Sequence, residues 1–362
     1  MRKPMKRYTF ISEMKTIALV LVVVAHCMLF YGDNPFWPEL AGFQSPAVIS
    51  VYGVIDASVI ASFVMCSGFL LADSCARRKK PLWQMALDRT KRLLIPYYLY
   101  GALWLVPLYT LFDIKAFGRD KGTGFGQGLL AMVLGQFSDH LWFLWMLVWI
   151  TLFFVLTRAL LDRRRVWLLL VLTLAFALID QYLLAQFPYF KLSQIAPYLL
   201  CFWLGACLYL YDEALEKLPK WSFACIGLLC LALIICYDVY QDGLTAVGAS
   251  VPFGLTWGVK LLGAVMMYGF FRFFAQTKAS EKLLASRAWV YSERHSLNIY
   301  LVNCPFNYLY FRLLYPRIGQ HVLLCIVTNI LLTFVSIYLT VWLQDLCKGL
   351  FRRVFPGKKR TT

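Results

Sequence analysis

Long apolar runs recur from one end of this chain to the other, and that recurrence limits what it can fold into more than any other feature. The runs cover residues 15–31, 54–72, 93–112, 141–161, 167–184, 195–211, 223–240, 259–274, 296–315 and 322–347. An uncharged apolar stretch of about 18 residues is long enough to cross a bilayer as a helix. With 60% hydrophobic and 15% charged residues among 362, the apolar surface exceeds what a water-soluble core could bury. The reading is an all-α membrane protein, a polytopic bundle of about ten transmembrane helices. An eleventh apolar stretch, 128–137, is too short to cross alone and reads as a re-entrant or interfacial piece leading into the fourth span.

The net charge of +17 raises the question of a nucleic-acid partner, but the basic residues sit in short clusters between the apolar runs rather than along one amphipathic face. They report topology. When the loops are assigned alternately to the two sides, 28 of the 36 Lys and Arg fall on one side and six on the other, with Lys15 and Lys260 inside spans. The positive-inside rule then predicts both termini in the cytoplasm and an even number of spans. Cytoplasmic tails are expected at about 1–10 and 348–362, around one membrane-embedded domain over 1–362, since no 20–50-residue repeat or low-complexity linker divides the chain. Arg2, Lys3, Lys6 and Arg7 precede the first run as in a signal peptide, but no small-residue cleavage site follows, so that run reads as the first helix. Most of the eleven cysteines lie inside apolar runs without a CxxC pair, which makes them packing thiols. Four histidines and few carboxylates show no metal-ligand spacing, so no metal is expected.

In a bilayer the informative residues are the polar ones inside spans, because an ionisable group near the midplane costs roughly 2.5 to 3.5 kcal/mol unless paired or wetted. Lys15 and His26 are eleven residues apart, which returns to nearly the same helix face about 16 Å along the axis. Lys15 reads either as a snorkelling anchor or as a site cation; His26 reads either as an interhelical hydrogen-bonding group or as a general base. Ahead of the third span, the basic loop Asp88-Arg89-Thr90-Lys91-Arg92 is an ordinary positive-inside anchor. Within it, Arg89 and Arg92 form an RxxR pair one turn apart, whose guanidinium forks could grip phosphates. His140 beside Asp139 enters the fourth span with Trp142 and Trp145, and the tryptophans are also what an aromatic belt supplies. The ninth span opens on Glu293-Arg294-His295-Ser296 and carries Asn298, Tyr300 and Asn303, polar groups that need partners in the bundle.

In their order and spacing these segments resemble the acyltransferase 3 family, bacterial integral-membrane acyltransferases that typically O-acetylate cell-surface polysaccharides and related envelope glycans. Four blocks carry the likeness: Ile11-Ser12-Glu13-Met14-Lys15 leading to His26; Cys66-Ser67-Gly68-Phe69-Leu70-Leu71; Arg89-Thr90-Lys91-Arg92-Leu93-Leu94-Ile95-Pro96-Tyr97; and His140-Leu141-Trp142-Phe143-Leu144. Ser296-Leu297-Asn298-Ile299-Tyr300-Leu301 is a fifth. The resemblance implies an O-acyltransferase of the bacterial inner membrane that takes acetyl-CoA, or another acyl-CoA, from the cytoplasm and passes the acyl group to an envelope glycan or glycolipid. It implies His26 as catalytic base or relay and Arg89 and Arg92 as coenzyme contacts. Lys15, Glu13 and His140 join the catalytic candidates, and Ser67, Trp142, Tyr300 and Asn303 the substrate cavity. The chain departs from the family pattern at Ser12 and Lys15, where Asp and Arg are usual, and at Asn303, where a histidine is common. Glu13 is a candidate replacement for the missing acid. A rival from another class is a proton-coupled permease or flippase for a lipid-linked glycan, with His26 as proton relay and the arginines on a lipid pyrophosphate. A third is a regulatory membrane subunit without activity.

Overall fold

The computed structural model of the chain describes residues 8–31, 44–77, 81–113, 122–136, 139–160, 165–182, 187, 189–192, 195–246, 254–275 and 277–354. The expected basic tails around Arg2, Lys3, Lys6, Arg7 and residues 355–362, and the loop residues 78–80 and 114–121, lie outside these. Among the described residues the protein is helical, without a strand. The helices are α1 Thr9–Met28, α2 Pro46–Arg77, α3 Leu82–Leu111, α4 Phe125–Val133, α5 Trp142–Thr157, α6 Val166–Tyr182 and α7 Ala196–Leu210. They continue with α8 Lys220–Ala246, α9 Leu255–Phe274, α10 Lys278–Ala285, α11 Arg287–Arg294, α12 Ser296–Ile318 and α13 Val322–Val354.

A helix stands at each of the ten apolar runs. Five of them, α1, α2, α3, α8 and α13, are long and apolar enough to cross a membrane on their own, and α9 with α10 makes a sixth candidate. The protein is therefore a multi-pass membrane protein. α12 falls short of that hydropathy because Asn303, Asn307, Arg312 and Arg317 interrupt it, and the two asparagines are buried among other helices rather than turned to lipid. α4, only nine residues long, agrees with a segment too short to span.

Three boundaries differ from the sequence reading. The basic stretch 88–92, taken above as a loop, lies inside α3, because nothing between Leu82 and Ile95 breaks a helix and Met85, Ala86 and Leu93 bury an inward stripe. Pro96 interrupts the hydrogen-bond ladder beyond it, and the helix widens to a π turn at Gly101–Leu105 before continuing. α13 runs to Val354, so residues 348–354 are helix rather than tail; the next breaker is Pro356. α1 starts at Thr9, which puts Lys15 almost two turns inside a helix.

α1 is the central element, packed against α2, α9, α12 and α13. Its inward residues Met14, Ala18, Leu19 and Val23 are almost fully buried. The tightest helix pair is α2 with α7. A Cβ on Gly68 would stand 2.0 Å from the Phe202 carbonyl oxygen, and one on Gly205 1.9 Å from that of Met65, so only glycine lets these backbones approach as they do. On the periphery, α8 and α13 expose Leu228, Leu229, Leu323 and Val335, the surface a lipid solvent requires. The eleven cysteines are free thiols, six of them buried and three, Cys225, Cys236 and Cys347, exposed.

Candidate functional site

Two cavities lie along the face of α1 that carries Lys15 and His26, and α2 lines both. The first, of about 320 Å³, is bounded by Lys15, Ser67, Leu71, Asp88, Arg89 and Arg92 among others. Three cations face one carboxylate there, in the space between α1, α2 and the first turns of α3. Their helical placement follows from the corrected reading of residues 88–92: four positions hold Asp88 and Arg92 one turn apart, with Arg89 and Arg92 on the same side of α3. Lys15 lines this cavity. A multiply charged phosphate ligand fits such a wall, since guanidinium forks bind phosphate oxygens in pairs.

The second cavity, of about 190 Å³, is bounded by His26, Asp56, His140, Trp142, Tyr300 and Tyr308, with Tyr52 and Cys304 also in its wall. His26 and His140, 114 positions apart in sequence, bring their ring centroids to 6.2 Å. Each imidazole is oriented by one hydrogen bond. Asn303 donates its amide Nδ2 to the Tyr300 carbonyl at 2.7 Å, which turns its Oδ1 to His26 Nδ1 at 2.8 Å. An amide oxygen only accepts, so His26 carries its proton on Nδ1 and keeps the basic lone pair on Nε2. His140 Nε2 donates to the Leu301 carbonyl at 3.0 Å. Tyr300 hydroxyl donates to the His140 carbonyl, so two bonds to adjacent residues of α12 hold the one-turn helix Asp139–Leu141.

The candidate residues therefore divide. Lys15, Ser67, Arg89 and Arg92 meet in the cationic cavity; His26, His140, Trp142 and Tyr300 meet in the aromatic one, with Asn303 buried directly behind His26. Glu13 joins neither. Two residues before Lys15 it points to the opposite side of α1, fully buried, where it accepts a hydrogen bond from Ser280 of α10. Ser12 donates to Glu293 of α11 at 2.7 Å, which brings a carboxylate from another helix to this turn of α1. His295 pairs with Asp345 at 3.1 Å, away from both cavities. Between the cavities, Phe63 occupies the α2 face shared by Ile60 and Ser67. Its ring lies 5.9 Å from that of Phe143, which stands 5.9 Å from Tyr300.

Sequence reasoning missed Asp56, Tyr52 and Tyr308. Asp56 carried a usable signal, a carboxylate near the start of an apolar run; the tyrosines did not, since aromatic residues in a span are ordinary. Among the described residues no cluster of His, Cys, Asp or Glu could hold a metal ion.

A family model described as an acyltransferase domain, that of acyltransferase 3, matches residues 9–345. No curated protein and no solved structure matches the chain.

Proposed function

The chain belongs to the acyltransferase 3 family, and from that premise we propose that it moves an acetyl group from acetyl-CoA to a hydroxyl of an envelope polysaccharide or related glycan. The observation that carries this reading is an imidazole held at Nδ1 by Asn303, in a cavity that follows a separate cationic one along α1. Along α1 the two are joined by the eleven residues from Lys15 to His26, about 16 Å. In this reading Arg89, Arg92 and Lys15 hold the phosphates of the coenzyme, and the acyl arm extends along α1 and α2 toward His26.

The chemistry assigned to His26 needs a proton acceptor, and Nε2 is the nitrogen that the Asn303 bond leaves basic. The acceptor hydroxyl gives its proton to Nε2 as its oxygen attacks the thioester carbonyl. The new C–O bond forms, the C–S bond breaks, and the departing CoA thiolate takes a proton back from the imidazolium. His140 and Tyr300 shape the cavity around the reacting groups. The positive-inside bias favours ten spans with both termini cytoplasmic, in a bacterial inner membrane, so that the donor cavity opens to the cytoplasm and the His26 cavity toward the other face.

Acetyl-CoA binding to the purified protein separates this from the permease reading. Binding that Arg89→Ala weakens supports it; failure of the wild type to bind any acyl-CoA contradicts it.

A further inference from the structure

The cavity that holds His26 also holds a charged group that the proposed chemistry leaves unused. Asp56 of α2 lines it, with its side chain 48% exposed although it belongs to an apolar helix. A carboxylate in such a helix is costly unless it is paired or wetted, and Asp56 is paired: Lys260 of α9 brings Nζ to 2.9 Å from its Oδ2. Lys260 is in turn held over the ring of Tyr198, at 5.6 Å, and is itself mostly buried. The lysine therefore fixes where the carboxylate stands.

An open side lowers the desolvation cost of such a pair, and here it also leaves carboxylate acceptor capacity turned to the cavity. The pair leaves half of the Asp56 side chain exposed, and one bond to Lys260 occupies a fraction of the acceptor capacity of a carboxylate. Much of the remaining wall is aromatic, with Tyr52, Trp142, Tyr300 and Tyr308. Aromatic faces with one anchored acceptor suit a ring-shaped polyol: its C–H faces lie against the rings, and its hydroxyl groups donate to the charge.

We propose that Asp56, held by Lys260, orients the acceptor by accepting a hydrogen bond from a hydroxyl adjacent to the one that His26 deprotonates. The acceptor then carries at least two neighbouring hydroxyl groups, and a simple alcohol is a poor substitute for it. This rests on His26 as the base, and it adds the group that decides which molecules are presented to that base.

The test uses the purified full chain in lipid nanodiscs with radiolabelled acetyl-CoA and two ring alcohols of equal size, trans-1,2-cyclohexanediol and cyclohexanol. The wild type is expected to acetylate the diol with a kcat/KM at least about tenfold above cyclohexanol, the loss of a hydrogen bond to a charged group being of that order or larger. Asp56→Asn is expected to erase the preference through the KM of the diol while leaving acetyl-CoA affinity unchanged, and Asp56→Glu to keep part of it. The inference is overturned if Asp56→Asn retains the preference, if the wild type shows none, or if a wild type that binds acetyl-CoA acetylates neither alcohol. It also fails if both Asp56 variants lose acetyl-CoA binding, because the pair is then a structural strut. A wild type that binds no acetyl-CoA overturns instead the donor site on which the inference rests.

Discussion

His26 Nδ1 stands 2.8 Å from Asn303 Oδ1, and this contact between α1 and α12 decides which nitrogen of the imidazole is basic. Where the family resemblance leads one to expect a histidine, this chain has an amide that cannot titrate but can hold a tautomer, as the asparagine of papain-like triads does. Asn303→Leu is expected to lower acetyl transfer about 100-fold in kcat with acetyl-CoA affinity unchanged. Asn303→His, which restores a ring nitrogen able to accept, is expected to lose less. Steady-state kinetics of the two variants check this.

Arg89 and Arg92 line the cationic cavity with Lys15. Replacing either arginine by Ala is expected to raise the KM for acetyl-CoA about tenfold or more while kcat falls less, because the contact is made equally in ground and transition states. Arg89→Lys is expected to recover only part, since a point charge does not reproduce the fork. Titration of initial rates with acetyl-CoA distinguishes the variants.

Phe63 stands on the face of α2 between the two cavities, with its ring 5.9 Å from that of Phe143. Under the proposed donor placement the acyl end lies near this ring, and replacing Phe63 by Ala leaves more room for it. The expected outcome is a relaxed chain-length preference, with the butyryl-CoA to acetyl-CoA ratio of kcat/KM rising several-fold, to be measured by competition between the two donors.

Gly205 admits no side chain, because a Cβ there would stand 1.9 Å from the Met65 carbonyl oxygen. Gly205→Ala is expected to force α2 and α7 apart at a cost of about 1–3 kcal/mol. The checks are a lowered thermal unfolding midpoint in detergent and, since α2 lines both cavities, a loss of transfer that tracks the fraction folded.

The run pattern made the helices legible in the sequence, because a bilayer permits little else and ten apolar segments must each satisfy their own backbone. Placement on a helix was legible too: the Lys15–His26 spacing and the Arg89–Arg92 pair each fall on one helix face, with Lys15, Arg89 and Arg92 lining one cavity and His26 the other. The helical state of residues 88–92 was hidden because charge density looks the same in a loop and in the first turns of a helix beyond the lipid. Pairings across helices were hidden as well. Nothing local connects His140 with Leu301, Ser12 with Glu293, or Asp56 with Lys260, since each contact is set by how the bundle closes. Glu13 shows the reverse. Its distance from Lys15 by two positions already placed it on the far side of α1, and the buried bond with Ser280 makes it a tie between α1 and α10.

The most direct test of the central claim is incorporation of label from radiolabelled acetyl-CoA into envelope glycans by membranes containing the wild type, His26→Ala or Arg89→Ala at matched expression. The account expects incorporation by the wild type and its near-complete loss in His26→Ala, with a loss in Arg89→Ala that high acetyl-CoA partly reverses. Undiminished incorporation by His26→Ala would contradict the assignment of the base, and absence of both incorporation and acetyl-CoA binding in the wild type would contradict the account as a whole.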